Sequence, residues 1–278
     1  MIPVLLRLGP LTIYSYGLMM AFGFIAGDIV LGRECRRRGF PPELASSVVV
    51  WGAIAGIVGA RIYDVFDNWP AYRTDLPSIV LSGSGFVWYG GLIGGIISTW
   101  IVARYYKVSF LTVADMCAPA LILGQAFGRM GCQLSGDGDW GAPSKVPWAM
   151  AYPNAIVGWN ERTVLALNSH NELVSGFYPG VRVHPTPIYE VILYTTIFFV
   201  LWSLRKKINV DGRILCLYLI LGGAARFLVE FLRINPRVFL GLSEAQLISL
   251  LMITAGTIGW LWSAARQPVI QARVAAES

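Results

Sequence analysis

Seven apolar runs follow one another along the chain, each close to the roughly 20 residues that a membrane-spanning helix needs. They cover residues 13–31, 44–63, 87–105, 111–130, 188–204, 214–232 and 247–263. Short polar, Gly-rich or Pro-rich stretches separate them. The pattern predicts an all-α fold, a polytopic membrane bundle of about seven transmembrane helices that forms a single membrane domain over residues 1–278.

Composition supports lipid as the solvent for most of the surface. Hydrophobic residues make up 55% of the chain, charged residues only 14%, and the mean hydropathy is +0.59. A soluble domain carries about 25% charged residues. The ten Trp and twelve Tyr residues fit the aromatic belts at membrane interfaces. The four Cys residues lie far apart with no CxxC pair, which excludes the usual zinc spacings and a disulfide framework.

Basic residues cluster at alternate ends of the apolar runs. Twelve of the 22 Lys and Arg residues lie in these clusters: Arg33, Arg36, Arg37, Arg38; Arg104, Lys107; Arg205, Lys206, Lys207, Arg213; Arg266, Arg273. The positive-inside rule then predicts an extracytoplasmic N-terminus and a cytoplasmic C-terminus. Nucleic-acid binding would need a basic face or a recognition motif, so no nucleic-acid partner is expected.

Two stretches fall on the opposite side. One loop carries Asp64, Asp67, Arg73 and Asp75. The other runs over residues 132–183 and is rich in Gly, Pro, Asn and Trp. Loops of this length are often functional. We therefore predict that residues 132–183 form a small extracytoplasmic cap.

Several charges lie where lipid makes them costly. Arg129 ends the fourth run, and Arg226, Glu230 and Arg233 lie within the sixth. A charge at the bilayer centre costs about 2.5–3.5 kcal/mol on insertion scales and therefore faces protein, water or a partner. The spacings i,i+4 and i,i+3 put the three residues of the sixth run on one helix face. Two interpretations remain open here, an internal salt bridge that braces the bundle or a site in which arginine forks bind the phosphate of a phospholipid.

Glycines mark two further positions. Tyr89-Gly90-Gly91 opens the third run, and Gly90 and Gly91 are candidate lipid contacts because small residues let a ligand or another helix approach the backbone. The stretch from Gly136 to Gly141 is a candidate tight loop. It lacks the twelve-residue spacing and closing Glu of an EF-hand, so no metal is expected.

Five groups of residues, in chain order, resemble the motifs of the prolipoprotein diacylglyceryl transferase family. They are Leu8-Gly9-Pro10 with Tyr16-Gly17-Leu18-Met19; Gly90-Gly91-Leu92-Ile93-Gly94; Gly128-Arg129-Met130-Gly131-Cys132 with Gly136 and Trp140-Gly141; Arg182 to Glu190 with His184-Pro185; and Arg226-Phe227-Leu228-Val229-Glu230-Phe231-Leu232-Arg233. The resemblance runs through almost the whole chain.

The resemblance implies transfer of diacylglyceryl from phosphatidylglycerol to the lipobox cysteine of a preprolipoprotein in the bacterial inner membrane, without metal or organic cofactor. It makes Arg129 and Arg226 catalytic, with Glu230 orienting Arg226. Arg233 is then expected to hold the head group or the acceptor, and Tyr16, like Gly136, to contact lipid.

One position departs from the family pattern. Tyr89 stands where the family's H-G-G-L motif has its histidine. An unperturbed tyrosine has a pKa of about 10 and is a poor base for a thiol. Tyr89 with the arginine field, or His184, is the candidate for taking the proton, although a structural role is the more frequent one for such a histidine.

Three alternatives to the transferase stay open. The transferase interpretation takes the chain as a family subtype with the same reaction. The first alternative is a paralogue with another acceptor, and the other two are a transporter and a lipid-binding protein. A transporter would predict inverted repeats, which are not evident. A lipid-binding protein would need no cluster of charges.

Overall fold

The computed structural model describes residues 1–9, 11–72, 87–156 and 182–263. Some of the residues discussed above lie outside these ranges: Arg73, Asp75, most of the second half of the predicted cap, Arg266 and Arg273.

Long helices dominate the described chain. They are α1 (Ser15–Arg38), α2 (Glu43–Asp67), the single turn α3 (Trp69–Tyr72), α4 (Trp88–Tyr105), α5 (Phe110–Ser135), α6 (Thr186–Leu204), α7 (Arg213–Val229) and α8 (Glu244–Ser263). Six of them are long and apolar enough to cross a membrane: α1, α2, α5, α6, α7 with the turn that follows it, and α8. The predicted all-α polytopic membrane fold is confirmed with six such helices in the described chain, and α4, which contains four glycines and Arg104, is a seventh long helix outside that set.

The predicted spans overlap the long helices, but the ends differ. Helix α1 runs to Arg38 rather than residue 31, and α2 runs to Asp67 rather than residue 63, so that Asp64 and Asp67 lie in a helix and not in the predicted loop. The chain starts with a hairpin of β1 (Val4–Leu8) and β2 (Leu11–Tyr14), so that α1 begins only at Ser15. Helix α5 continues to Ser135, which makes residues 132–135 its last turn rather than part of a loop. The helix ends at Gly136, whose positive φ of 64° suits glycine and terminates an α-helix.

Two compact units make up the chain, residues 1–27 with 117–278 and Asp28–Met116. The second unit is built around α2 and α4, which approach closely because their contact residues are glycines. A Cβ atom added at Gly90 or Gly94 would collide with the backbone carbonyls of Gly59 or Ala55. Such contact between backbones is how small residues hold helices together in lipid.

The first unit contains α6, α7 and α8. Glycines again allow close contact, since a Cβ atom at Gly256 would lie 2.8 Å from the carbonyl oxygen of Cys216, and one at Gly223 would lie 2.9 Å from that of Ser249. Large apolar side chains on the outward surface, such as Leu251 and Trp262, remain exposed, as expected for side chains that face lipid.

The chain after α5 has its own small core. Trp140, Tyr152 and Val183 are buried against one another. Val183 pairs through backbone bridges with Pro143 and Met150, so the chain returns beside its own start before α6 begins. This compact stretch is the described part of the predicted cap.

A second hairpin connects α7 to α8. The 3₁₀ turn η1 (Glu230–Leu232) follows α7, and then β3 (Arg237–Phe239) pairs with β4 (Leu242–Ser243). The side chain of Gln246 fixes the hairpin because its Oε1 accepts hydrogen bonds from Arg237 Nη1 at 2.6 Å and from the Ser243 backbone at 3.1 Å. The hairpin thereby places Ser243 beside the end of α7.

The glycine contact between α2 and α4 gives a stability test. Gly94→Ala is expected to lower the free energy of unfolding by about 1–3 kcal/mol, because the new methyl group must displace the α2 backbone. Gly95→Ala is the matched control, since among the described residues no atom outside its own stretch of helix lies within 4 Å of the position of its added Cβ. Thermal unfolding in detergent measures both, and equal stability of the two variants would contradict the packing argument.

Candidate active site

The carboxylate of Glu190 is the meeting point of three arginines. It lies on α6 with no exposed side-chain surface. Arg226 Nη1 donates to its Oε1 at 2.6 Å, while Arg129 Nε and Arg233 Nη1 lie 3.2 Å and 3.6 Å from its Oε2. The hydroxyl of Tyr194, one turn further along α6, donates to Oε1 at 3.3 Å. Residues from α5, α6, α7 and the chain after η1 thus meet at one buried anion.

A second buried carboxylate, that of Glu230, holds the other side of the cluster. Its Oε2 lies 2.9 Å from Arg226 Nη2 and 3.7 Å from Arg233 Nε. Its Oε1 accepts hydrogen bonds from Asn235 Nδ2 at 2.6 Å and Ser243 Oγ at 2.8 Å. The hairpin after η1 therefore holds Glu230, and Arg226 lies between two buried carboxylates.

Asp139 supplies the third carboxylate, from the loop after α5. It forms ion pairs with both Arg129 and Arg233. Thr186 Oγ1 donates to its backbone carbonyl at 2.6 Å. Burial opposes its ionisation, but the positive charges of Arg233 and Arg129 outweigh that effect and lower the pKa of Asp139 below its usual value. The side chain is therefore ionised at neutral pH.

The guanidinium groups differ in how far they reach the surface. The side chains of Arg129 and Arg226 are 26% and 19% exposed, whereas that of Arg233 is 5% exposed. Arg129 and Arg226 are thus both fixed by buried carboxylates and accessible to a ligand. Two accessible, oriented arginine forks are suited to a phosphate group.

The structure brings together four of the residues predicted from the sequence, Arg129, Arg226, Glu230 and Arg233. The ion pair expected between Arg226 and Glu230 is present, although α7 ends at Val229 and Glu230 begins the tighter 3₁₀ turn. The salt bridge does not exclude a ligand site, because Arg129 and Arg226 are ion-paired and still partly exposed.

Sequence reasoning did not assign a role to Glu190 or Asp139. Glu190 has the feature that made the arginines candidates, a charge within an apolar run, here near its start. Asp139 lies in the stretch from Gly136 to Gly141, whose spacing predicts a tight loop and no metal site. Neither residue has a basic residue at helical spacing in the sequence, so the pattern did not connect them to the arginines.

Tyr16 and Gly136 lie next to the end of α5. The ring of Tyr16 packs on Gly131, where an added Cβ atom would lie 3.0 Å from Tyr16 Cδ2. Tyr16 is 42% exposed, which leaves ring surface for lipid. Gly136 has a packing reason of its own, since an added Cβ would lie 2.8 Å from Ala155. Lipid contact by either residue stays a prediction.

His184 is part of a hydrogen-bonded aromatic group. Trp148 Nε1 donates to Tyr189 Oη at 2.7 Å, and Tyr189 Oη lies 3.0 Å from His184 Nδ1. Either atom of the His184–Tyr189 pair can be the donor, depending on the tautomer of the ring, so Nδ1 is engaged in both cases. This arrangement favours a structural role for His184 over that of a base.

Tyr89, Gly90 and Gly91 belong to the unit of residues 28–116. The ring of Tyr89 lies 6.0 Å from that of Tyr63 and 5.5 Å from that of Trp88, centroid to centroid. Gly90 is buried against Gly59, so helix packing accounts for it. The predicted roles of these three residues in lipid binding and proton transfer remain predictions.

Among the described residues, one group has the spacing of possible metal ligands, Cys132, Asp137 and Asp139, whose ligand atoms lie within 4.8 Å of one another. Arg129 Nη1 lies 4.0 Å from Cys132 Sγ and also pairs with Asp139. A cation in that place would be repelled by the guanidinium charge. The donor set therefore suits an arginine better than a metal ion.

Comparison with known proteins agrees with the site. Residues 3–262 match the family model described as prolipoprotein diacylglyceryl transferase. Curated relatives named phosphatidylglycerol–prolipoprotein diacylglyceryl transferase include those of Clostridium tetani, 35% identical over 91% of this chain and 94% of the relative, and Bordetella parapertussis, 34% identical over 94% and 95%. The Synechocystis relative is 32% identical over 94% of this chain and 88% of its own. With the match extending over nearly the whole chain and the arginine cluster inside it, this protein belongs to the prolipoprotein diacylglyceryl transferase family.

Proposed function

We propose that this protein transfers the sn-1,2-diacylglyceryl group of phosphatidylglycerol to the lipobox cysteine of a preprolipoprotein. The products are a thioether-linked lipoprotein precursor and glycerol 1-phosphate. The observation that carries the proposal is the cluster in which Glu190 gathers Arg129, Arg226 and Arg233 while two of the three stay accessible. The names of the relatives supply the substrates.

The chemistry explains the need for arginines. The cysteine sulfur attacks the phosphate-bearing CH2 of the diacylated glycerol. The bond between that carbon and the phosphate oxygen breaks, and its electron pair stays on the oxygen. Negative charge therefore grows on the phosphate as the bond breaks. Fixed guanidinium groups of Arg129 and Arg226 would stabilise that charge in the transition state without reorganising.

Glu190 and Glu230 act in this scheme as positioning residues. Each accepts from Arg226 at 2.6–2.9 Å, which orients its planar fork. Their negative charge also offsets the cost of placing the arginine charges within the membrane. Arg233, with only 5% of its side chain exposed, is suited to fixing the cluster and Asp139 more than to reaching the acceptor.

The proton of the attacking thiol needs an acceptor. A free thiol has a pKa of about 8.5, so a base or a positive field must favour the thiolate. Tyr89, at the family's histidine position, is our candidate for proton handling together with the arginine field. His184 is the second candidate, and its engaged Nδ1 makes it the weaker one.

The multi-pass membrane fold allows a further proposal on placement. The basic residues at the ends of α1, α4 and α6 favour a cytoplasmic location of those ends in a bacterial inner membrane. The N-terminus, the arginine cluster and the segment 132–183 would then face the extracytoplasmic side, within one membrane domain of residues 1–278. Backbone pairing of Gly141 with Arg233 ties that segment to the cluster.

A reconstituted assay tests the proposed reaction. Purified protein in detergent, given phosphatidylglycerol with a labelled head group and a lipobox peptide, is expected to release glycerol phosphate and to add the diacylglyceryl mass to the peptide cysteine. A peptide with Ser in place of that Cys is the control and should stay unmodified. Phosphate release without peptide modification would indicate another acceptor, and no release beside an active relative would reject the transferase.

Removing an accessible arginine should reduce turnover. Arg129→Ala and Arg226→Ala are each expected to lower kcat by about 10²–10³, the loss typical of one donor to a developing negative charge. Arg129→Lys keeps the charge but loses the fork and should recover only part of the rate. Arg104→Ala, in the last turn of α4, is the control. Full complementation of a transferase-depleted strain by both alanine variants would contradict the assignment.

Two substitutions separate the candidate proton acceptors. Tyr89→Phe removes only the hydroxyl and is expected to lower kcat and to steepen its loss at acidic pH, because less thiolate forms without it. His184→Gln keeps hydrogen bonding to Tyr189 and should leave the pH profile unchanged. A pH–rate profile that moves for His184→Gln and not for Tyr89→Phe would reverse the two roles.

A further inference from the structure

The charges of the arginine cluster balance without any ligand. Arg129, Arg226 and Arg233 carry three positive charges, and Glu190, Glu230 and Asp139 carry three negative ones. A phosphodiester adds one negative charge. In a poorly hydrated site an unbalanced charge is costly. Binding of a phosphodiester is therefore favoured if one of the three carboxylates moves out of the cluster.

Two of the three carboxylates are held too firmly to leave. Glu190 and Glu230 have no exposed side-chain surface, and each contacts two or more arginines as well as a neighbouring hydroxyl. The Asp139 side chain is 29% exposed, in contrast, and both of its ion pairs are with arginines.

The surroundings of Asp139 allow the side chain to move while the loop stays in place. Thr186 Oγ1 holds the Asp139 carbonyl, Asp137 Oδ1 accepts from its backbone N–H at 3.3 Å, and the backbone of Gly141 is paired with that of Arg233. None of these contacts involves the Asp139 carboxylate. Rotation of one side chain would therefore free Nη1 of Arg129 and Nη2 of Arg233.

A carboxylate and a phosphate make the same demand on arginine. Each presents a pair of anionic oxygens that accept N–H bonds from guanidinium groups. Asp139 bridges two arginines in this way, with Oδ2 on Arg129 Nη1 and Oδ1 on Arg233 Nη2, at the more exposed side of the cluster. It occupies the part of the site that an anionic ligand entering from the surface reaches first.

We propose that Asp139 is a built-in competitor for the lipid phosphate, which it keeps out until the phosphate of phosphatidylglycerol takes over its contacts with Arg129 and Arg233. This inference rests on the proposed function for the identity of the ligand. With Asp139 turned away, the remaining cluster carries one net positive charge and matches the single negative charge of the phosphodiester. The return of Asp139 then helps to displace the glycerol phosphate product.

Neutral substitutions of Asp139 test the competition. Asp139→Asn and Asp139→Ser are each expected to lower the KM for phosphatidylglycerol about three- to tenfold. No carboxylate then has to leave Arg129 and Arg233 before the phosphate binds. kcat should not rise, since the anionic product leaves more slowly. The inhibition constant of inorganic phosphate should fall by a similar factor. Asp139→Glu keeps the negative charge and should leave KM within twofold of the wild type.

Direct binding keeps this test separate from the reaction. Labelled phosphatidylglycerol is titrated into wild type, Asp139→Asn, Asp139→Ser and the control Asp67→Asn, whose exposed carboxylate lies at the end of α2. Tighter binding to the Asp139 variants alone supports the inference, even if no variant transfers lipid and the proposed function fails. An unchanged or weaker affinity of the folded Asn and Ser variants would overturn it.

Discussion

The buried carboxylate of Glu190 is the interaction on which the rest of the site depends. It receives arginines from α5, α7 and the chain after η1, so one side chain on α6 ties four parts of the chain together. A buried charge that loses one partner costs about 3–5 kcal/mol. The contact that joins these parts of the chain therefore also orients the three arginines.

Around this centre the cluster changes from fixed to adjustable. Glu230 is held by Asn235 and by Ser243 of the hairpin after η1, and it pairs with Arg226. Asp139 lies at the more exposed side, where Thr186 binds its backbone and arginines bind its carboxylate. The proposed competition of Asp139 with a lipid phosphate uses this difference between the three carboxylates.

Glycine had two possible meanings in the sequence, and the structure separates them by position. Gly90 and Gly94 lie where the α2 and α4 backbones touch, and Gly136 lies where α5 ends with a positive φ and Ala155 approaches. Helix packing and chain geometry explain these residues without a ligand. The periodicity of an apolar run shows that a small residue is present but not whether a helix or a lipid approaches it.

The long apolar helices and the pairing of Arg226 with Glu230 followed from the sequence alone, because run length and helical spacing are local properties. The end of α5 did not, since the helix continues past its apolar run through Gln133 to Ser135. The hairpin before α1 did not either, since apolar residues continue from the strands into the helix. Only the tertiary structure identified Glu190 and Asp139 as partners of Arg129. Residues on different helices meet according to how the helices pack, and no local pattern of hydrophobic and polar residues records that distance.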